Sequence, residues 1–199
     1  MRSVAHFIWV GDPHLPSHYQ KCYNSFIKKH PYYRINLWFQ SDVDKIVEGS
    51  KYKKYFHKYN SFINRYNFVK YHILAEYGGW FVDMDIEWKL SLDNIMLDKV
   101  KGEFPQMFIP VRKFLHLPEL NIDNDDMLIY ADKGLFWELI EFAINRKDIG
   151  NEKYEPFGPV SLSRWLQQTS YTREYMYERE IQSNGYYCNH LNGQSWRFI

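Results

Sequence analysis

The stretch that most constrains this chain is residues 67–87, NFVKYHILAEYGGWFVDMDIE. Phe62, Tyr66, Val69, Ile73 and Tyr77 recur at spacings of three and four, which predicts a helix with one buried face. Gly78 and Gly79 follow, and glycine accepts the positive φ that ends a helix. Trp80, Phe81 and Val82 then predict a short buried strand, too apolar for a loop. It runs into Asp83-Met84-Asp85. In an open α/β sheet, ligands sit beyond the carboxyl ends of the strands. Two carboxylates one residue apart at that place make a hard oxygen site for a divalent cation. A bare D-x-D triplet also fits two exposed loop carboxylates; the ordered helix, glycine turn and strand before it favour the cation.

The rest of the chain supplies the frame. Residues 4–10 are apolar apart from His6 and predict a first buried strand, broken by Gly11-Asp12-Pro13. Ser17 and Gln20 have capping-box spacing, ahead of a helical face of Tyr19, Tyr23, Phe26 and Ile27 that must finish by Pro31. Ile35, Leu37 and Phe39 alternate with polar residues, a second strand. Strand, helix, strand implies a parallel crossover and an α/β sheet. Residues 50–60, SKYKKYFHKYN, read either as a basic flap over a phosphate or as a solvated helix or loop. Residues 106–111 form a further strand candidate, Met127-Leu128-Ile129 an apolar run, and Leu135, Phe136, Leu139, Ile140 and Ala143 a core-packed helix. Pro159 suits the first position of a helix carrying Val160, Leu162, Trp165 and Leu166.

Composition excludes some classes. A chain of 199 residues suits one domain with a substantial core. Its formal net charge of +1 argues against a dedicated nucleic-acid binder. No apolar run is long enough to span a bilayer, and His6, Gly11 and Asp12 interrupt the only apolar stretch near Met1, so no signal peptide is read. Cys22 and Cys188 make no disulfide framework; reduced thiols in a cytoplasmic protein are expected, either whole or as one domain of a larger one. Aromatics reach 19%, enough for a core with a few left for sugar stacking.

Residues 70–87, with their K-Y-x-I-L-x-E-Y-G-G and D-x-D-x-E elements, resemble the core motif of the DXD sugar-binding glycosyltransferases. That family includes a yeast mannosyltransferase, capsule-synthesis enzymes and small enzymes of algal viruses. The resemblance implies a single GT-A type α/β domain over residues 1–199, with a mixed, mostly parallel sheet flanked by helices. It implies metal-dependent transfer of a sugar from a nucleoside diphosphate sugar to a glycan or other hydroxyl acceptor, with retention and without a protein base. UDP is the expected nucleotide and GDP the alternative. Asp83 and Asp85 take the catalytic role. Asp83, Asp85 and His190 would hold Mn²⁺ or Mg²⁺.

Further positions carry over from the same family. H-x-I-W-x-G is matched by His6, Ile8, Trp9 and Gly11, which implies donor contact by Ile8, Trp9 and Val10, largely through backbone; a core tryptophan is the competing reading of Trp9. Where the family has S-D-x-x-R, this chain has Asn67 and Lys70, so a carboxylate and a bidentate fork are both lost. Asp125 or Asp126 would meet sugar hydroxyls, with a cap or turn as the alternative. Gly158 would open a helix N-terminus toward the donor, with a structural turn as the alternative. At the C-terminus His190, Gly193, Ser195 and Trp196 match an H-x-x-x-G-S-W-like segment, Gln194 being interposed. Ser195 and Trp196 would meet the diphosphate. Residues 189–199 show no clear period, so an ordered-on-binding active-site tail is expected.

Two other classes fit parts of the pattern. A phosphohydrolase of the haloacid-dehalogenase type also uses D-x-D, but on its first strand. A non-catalytic glycan-binding module would explain the aromatics without nucleotide or metal.

Overall fold

The computed structural model describes residues 3–11, 14–58, 61–111, 128–146, 157–177 and 185–191. The chain opens with β1 (Val4–Trp9), α1 (Ser17–Lys29) and β2 (Arg34–Phe39), the expected strand, helix, strand, and β1 pairs with β2 in parallel. Then come α2 (Gln40–Gly49), α3 (Lys53–Lys58), α4 (Phe62–Tyr77) and β3 (Gly79–Val82). β4 (Ile86–Trp88), α5 (Leu92–Lys99), β5 (Met107–Val111), β6 (Leu128–Ala131), α6 (Phe136–Asn145), α7 (Pro159–Gln167), β7 (Arg173–Tyr177) and β8 (Cys188–His190) complete the described elements.

Among the described residues, six strands form one sheet in the order β2-β1-β3-β6-β5-β7. β1 runs parallel to β2 and β3, and β5 parallel to β7, while β6 runs antiparallel to both its neighbours. The central strands are apolar at successive positions because helices cover both faces. Ile8, Phe81, Ile129 and Ile109 face one core with Val47, Val69, Ile73, Leu139 and Leu162. Phe7, Trp80, Val82, Tyr130 and Phe108 face the other, with Tyr19, Phe26, Leu92 and Ile95. β2, at the sheet edge, is only partly covered, which accounts for its alternating pattern.

The capping box expected at Ser17 does not form. Proline at position 16 takes the N-cap place, so Ser17 is already helical and its hydroxyl cannot reach back over the first turn. The Gln20 amide instead donates to Asn24 Oδ1 at 2.8 Å. Ile27, expected on the buried face, is 42% exposed; Cys22 lies inside in the turn before it. The lysine-rich segment resolves into the helical reading. Phe56 is buried, while Lys51 and Lys53 pair with Glu141 and Glu48 at the surface. Among the described residues, no helix is long and apolar enough to cross a membrane.

Candidate metal and donor site

The turn between α4 and β3 aims the aspartates. Gly78 (φ 65°) closes the helix, its N–H donating to Leu74 O at 2.9 Å. A Cβ at Gly78 would meet Lys133 N at 2.7 Å, and one at Gly79 (φ 98°) would meet Val4 O at 2.7 Å. Both positions therefore need glycine, for backbone conformation and for close approach. His6 braces this turn from β1. Its Nε2–H donates to Gly78 O at 3.0 Å, while Nδ1 accepts from Asn36 and from the Trp38 indole, each at 3.3 Å. That arrangement requires a neutral ring, and burial lowers the His6 pKa to about 4.

β3 then ends at Val82, one residue past the pairing of Phe81 with His6 of β1, and the chain turns outward through Asp83-Met84-Asp85. Met84 is buried in the core under α1, and the carboxylates point elsewhere. Asp83 accepts a hydrogen bond from the Tyr66 hydroxyl on α4 at 3.2 Å. Asp85 is 8% exposed and lies against His190, whose Nε2 is 3.3 Å from Asp85 Oδ1.

His190 arrives by strand pairing. β8 runs antiparallel to β4, with Ile86 opposite His190 and Trp88 opposite Cys188, and Leu191 N–H donates to Asp85 O at 3.0 Å. Of the expected active-site tail, residues 189–191 are described: residues 188–190 form a strand and His190 is buried, while the rest of the tail lies outside the described residues. Three-residue strands carry no readable period, so β4 and β8 both escape a sequence reading. The hairpin-like pair is pinned further back. Lys89 N–H and Leu90 N–H both donate to Tyr187 O, the Lys89 ammonium to Gly185 O at 2.8 Å, and the Tyr187 hydroxyl to Asp98 at 2.8 Å. α1 supports β4 through Ser25 Oγ, which accepts from Trp88 N–H at 2.8 Å, and through a Lys21–Glu87 ion pair at 2.8 Å.

The ligand atoms of Asp83, Asp85 and His190 all lie within 4.8 Å of one another. Two carboxylates and an imidazole suit Mn²⁺ or Mg²⁺ better than a thiolate-seeking metal. Adjacent donors on one such ion, with bonds of about 2.1 Å, lie about 3 Å apart, close to the separation of His190 Nε2 and Asp85 Oδ1. The residues present fit a divalent cation.

The other expected positions divide. Ile8, Trp9 and Val10 are buried, Trp9 packing on Tyr19 with ring centroids 5.0 Å apart, so their side chains are core and only backbone is left to meet a donor. Asn67 is buried, and its amide donates to Phe157 O at 3.0 Å. It thereby ties α4 to Phe157-Gly158, and Gly158 is the N-cap of α7 with Pro159 in the first turn. Lys70, one turn beyond Asn67, is 2% exposed, its ammonium 4.8 Å above the Phe81 ring and 5.6 Å from the Tyr66 ring. Asp125, Asp126, Gly193, Ser195 and Trp196 lie outside the described residues. Tyr66 is the site residue that sequence reasoning missed. It reads as one of a helical row of aromatics, and only its distance to Asp83 reveals the hydroxyl's partner.

Residues 16–101 match the family described as the glycosyltransferase sugar-binding region containing a DXD motif. Over 98 residues the chain is 28% identical to inositol phosphoceramide mannosyltransferase 1 of Schizosaccharomyces pombe, a stretch covering 47% of this chain and 30% of that protein. Solved structures share the fold. PaToxG glycosyltransferase superposes with a TM-score of 0.58 at 15% identity, over 84% of this chain and 69% of its own. A glycosyltransferase involved in glycosylating the major capsid of PBCV-1 gives 0.55 at 8% identity, over 98% and 96%. The galactosyltransferase LgtC gives 0.52 at 12% identity, over 88% and 74%. The fold is of the GT-A type.

Proposed function

We propose that this chain, whose residues 16–101 match the DXD sugar-binding glycosyltransferases, transfers a sugar from a nucleoside diphosphate sugar to a hydroxyl acceptor. The observation that carries this reading is the convergence of Asp83, Asp85 and His190, from two distant parts of the chain, at the carboxyl end of β3.

Asp85 and His190 would hold a divalent cation from the enclosed side, and Asp83 would share its carboxylate between the cation and the donor's ribose or sugar hydroxyls. The bound cation would supply neutralisation of the charge that develops on the leaving diphosphate. Lys70 adds a fixed positive charge beside Phe81, two residues before Asp83. The α7 N-terminus, held toward α4 by Asn67, would turn the positive end of its helix dipole to an oxygen of the donor. The backbone at the end of β1 lines the nucleotide side. Retention fits a site in which the acceptor hydroxyl attacks from the leaving-group face and a departing phosphate oxygen takes its proton, so no side chain is assigned as base. UDP is the nucleotide proposed; a mannosyltransferase among the relatives keeps a GDP-linked donor as the second candidate. Ser195 and Trp196 are proposed to meet the diphosphate, and Asp125 or Asp126 the sugar.

The test is a panel of UDP- and GDP-sugars screened for thermal stabilisation with and without Mn²⁺. A donor at a hundred times its Kd adds about 2.7 kcal/mol to stability. Stabilisation that needs both sugar nucleotide and metal supports the reading. Stabilisation by free glycans alone, or turnover of a generic phosphomonoester, would replace it.

A further inference from the structure

Asp83 stands just beyond the last residue of β3 and is half-buried, where strand pairing no longer fixes a short carboxylate side chain. In this chain a phenol meets it. Tyr66 comes from α4, 17 residues earlier, and its hydroxyl reaches Asp83 Oδ1 at 3.2 Å. The phenol is itself held in place. Phe81 packs against it edge-on, with centroids 6.2 Å apart and planes at 84°; Phe62 lies 6.3 Å away on the same helix face; and the Lys70 ammonium sits 5.6 Å from its centre. Phe81 and Asp83 are two residues apart, so they leave the strand on one side, the side that α4 covers. A rigid hydroxyl aimed at a carboxylate is thus built from the helix that precedes the D-x-D.

We infer that Tyr66 is a positioning residue that sets the orientation of the Asp83 carboxylate, and through it the affinity of the site for a divalent cation. The inference rests on the proposed cation site. A hydrogen bond to one carboxylate oxygen fixes the plane of the carboxylate relative to the cation. It also removes the rotamer entropy that binding would otherwise cost. Outer hydrogen-bond partners of metal-ligating groups govern affinity in this way in other metal sites.

The experiment is a titration of the protein with Mn²⁺ in the presence of UDP, followed by the electron paramagnetic resonance signal of free Mn²⁺. Parent, Tyr66→Phe and Phe62→Ala are compared. Tyr66→Phe keeps the ring and its packing and removes only the hydroxyl. It is expected to weaken Mn²⁺ binding about 10-fold with an unchanged melting temperature. Phe62→Ala loosens part of the packing around the same ring and keeps the hydroxyl; its Mn²⁺ affinity should fall clearly less than that of Tyr66→Phe even if its melting temperature falls more. A Tyr66→Phe affinity within about three-fold of the parent, small against what an orienting partner contributes, overturns the inference. So does an equal loss in Phe62→Ala, since the effect would then be packing. A parent that binds no Mn²⁺ would overturn the cation site itself, which is a separate failure.

Discussion

The candidate site joins two regions built on opposite principles. Residues 62–85 are contiguous: one helix, two glycines and one strand carry Tyr66, Asp83 and Asp85 to one place by local geometry. The segment around His190 reaches the same place only through tertiary structure, as a three-residue strand laid on β4 more than a hundred residues away. The first region is fixed by backbone rules that leave little freedom at Gly78 and Gly79. The second is fixed by a handful of hydrogen bonds among Lys89, Gly185, Tyr187 and Asp98. The difference teaches that the carboxylates are a permanent feature of the fold, whereas the imidazole depends on the docking of one short strand.

The comparison breaks most visibly if a carboxylate is lost. Asp85→Asn is expected to lower transfer by about 100-fold or more, because a metal ligand contributes at least as much as its outer partners, and to leave the melting temperature nearly unchanged. Near-normal turnover in Mn²⁺ would remove Asp85 from the site. His190→Gln keeps the strand pairing, which is made by backbone, and removes the imidazole. A fall of about 10-fold in Mn²⁺ affinity with an intact fold is expected; unfolding would show that the histidine is chiefly a packing residue.

The contiguous region was the legible one. The glycine stop, the apolar strand and the D-x-D appear in the structure where these local patterns placed them. The helix forms too, but Tyr77 of the expected face is exposed, while Phe68, Tyr71 and Leu74 outside it are buried because the helix is covered on more than one side. Legibility failed wherever a partner was remote. The hydrogen bond from the Asn67 amide to Phe157 O, 90 residues on, could not be read from its motif. Tyr66 looks like core and touches Asp83. β8 is too short for any period and exists because β4 is there to pair with it. Trp9 was readable as either donor contact or core, and burial of its ring against Tyr19 makes the side chain core.

Smaller effects sharpen the contrast through stability. Gly79→Ala places a Cβ 2.7 Å from Val4 O at φ 98°, and should destabilise the protein by roughly 1–3 kcal/mol in urea unfolding. An unchanged urea midpoint would mean that the turn is not as tightly determined as the geometry implies.

Acid tests the braces on both sides of the sheet. His6 holds the Gly78 turn. His30 donates from Nδ1 to Phe26 O at 2.8 Å and accepts at Nε2 from Leu92 N–H at 2.7 Å, so it too is neutral. Burial lowers both pKa values to about 4, while an unfolded chain protonates its histidines near 6.5. Between those values the unfolded state binds more protons, so stability is full above about pH 6.5 and is lost progressively toward pH 4. The expected loss is at most about 3 kcal/mol for each histidine. Urea midpoints measured from pH 7.5 to 4.5 check this, and a flat profile would contradict the neutral, doubly bonded rings.

The most direct measurement is calorimetric titration of UDP into the parent and into Asp85→Asn, each with and without Mn²⁺. The account predicts that Mn²⁺ tightens UDP binding to the parent by at least about 10-fold, and that the gain disappears in Asp85→Asn while any metal-free binding persists. Equal UDP affinity in the parent with and without Mn²⁺ would contradict a nucleotide site built on the Asp83, Asp85 and His190 cation centre.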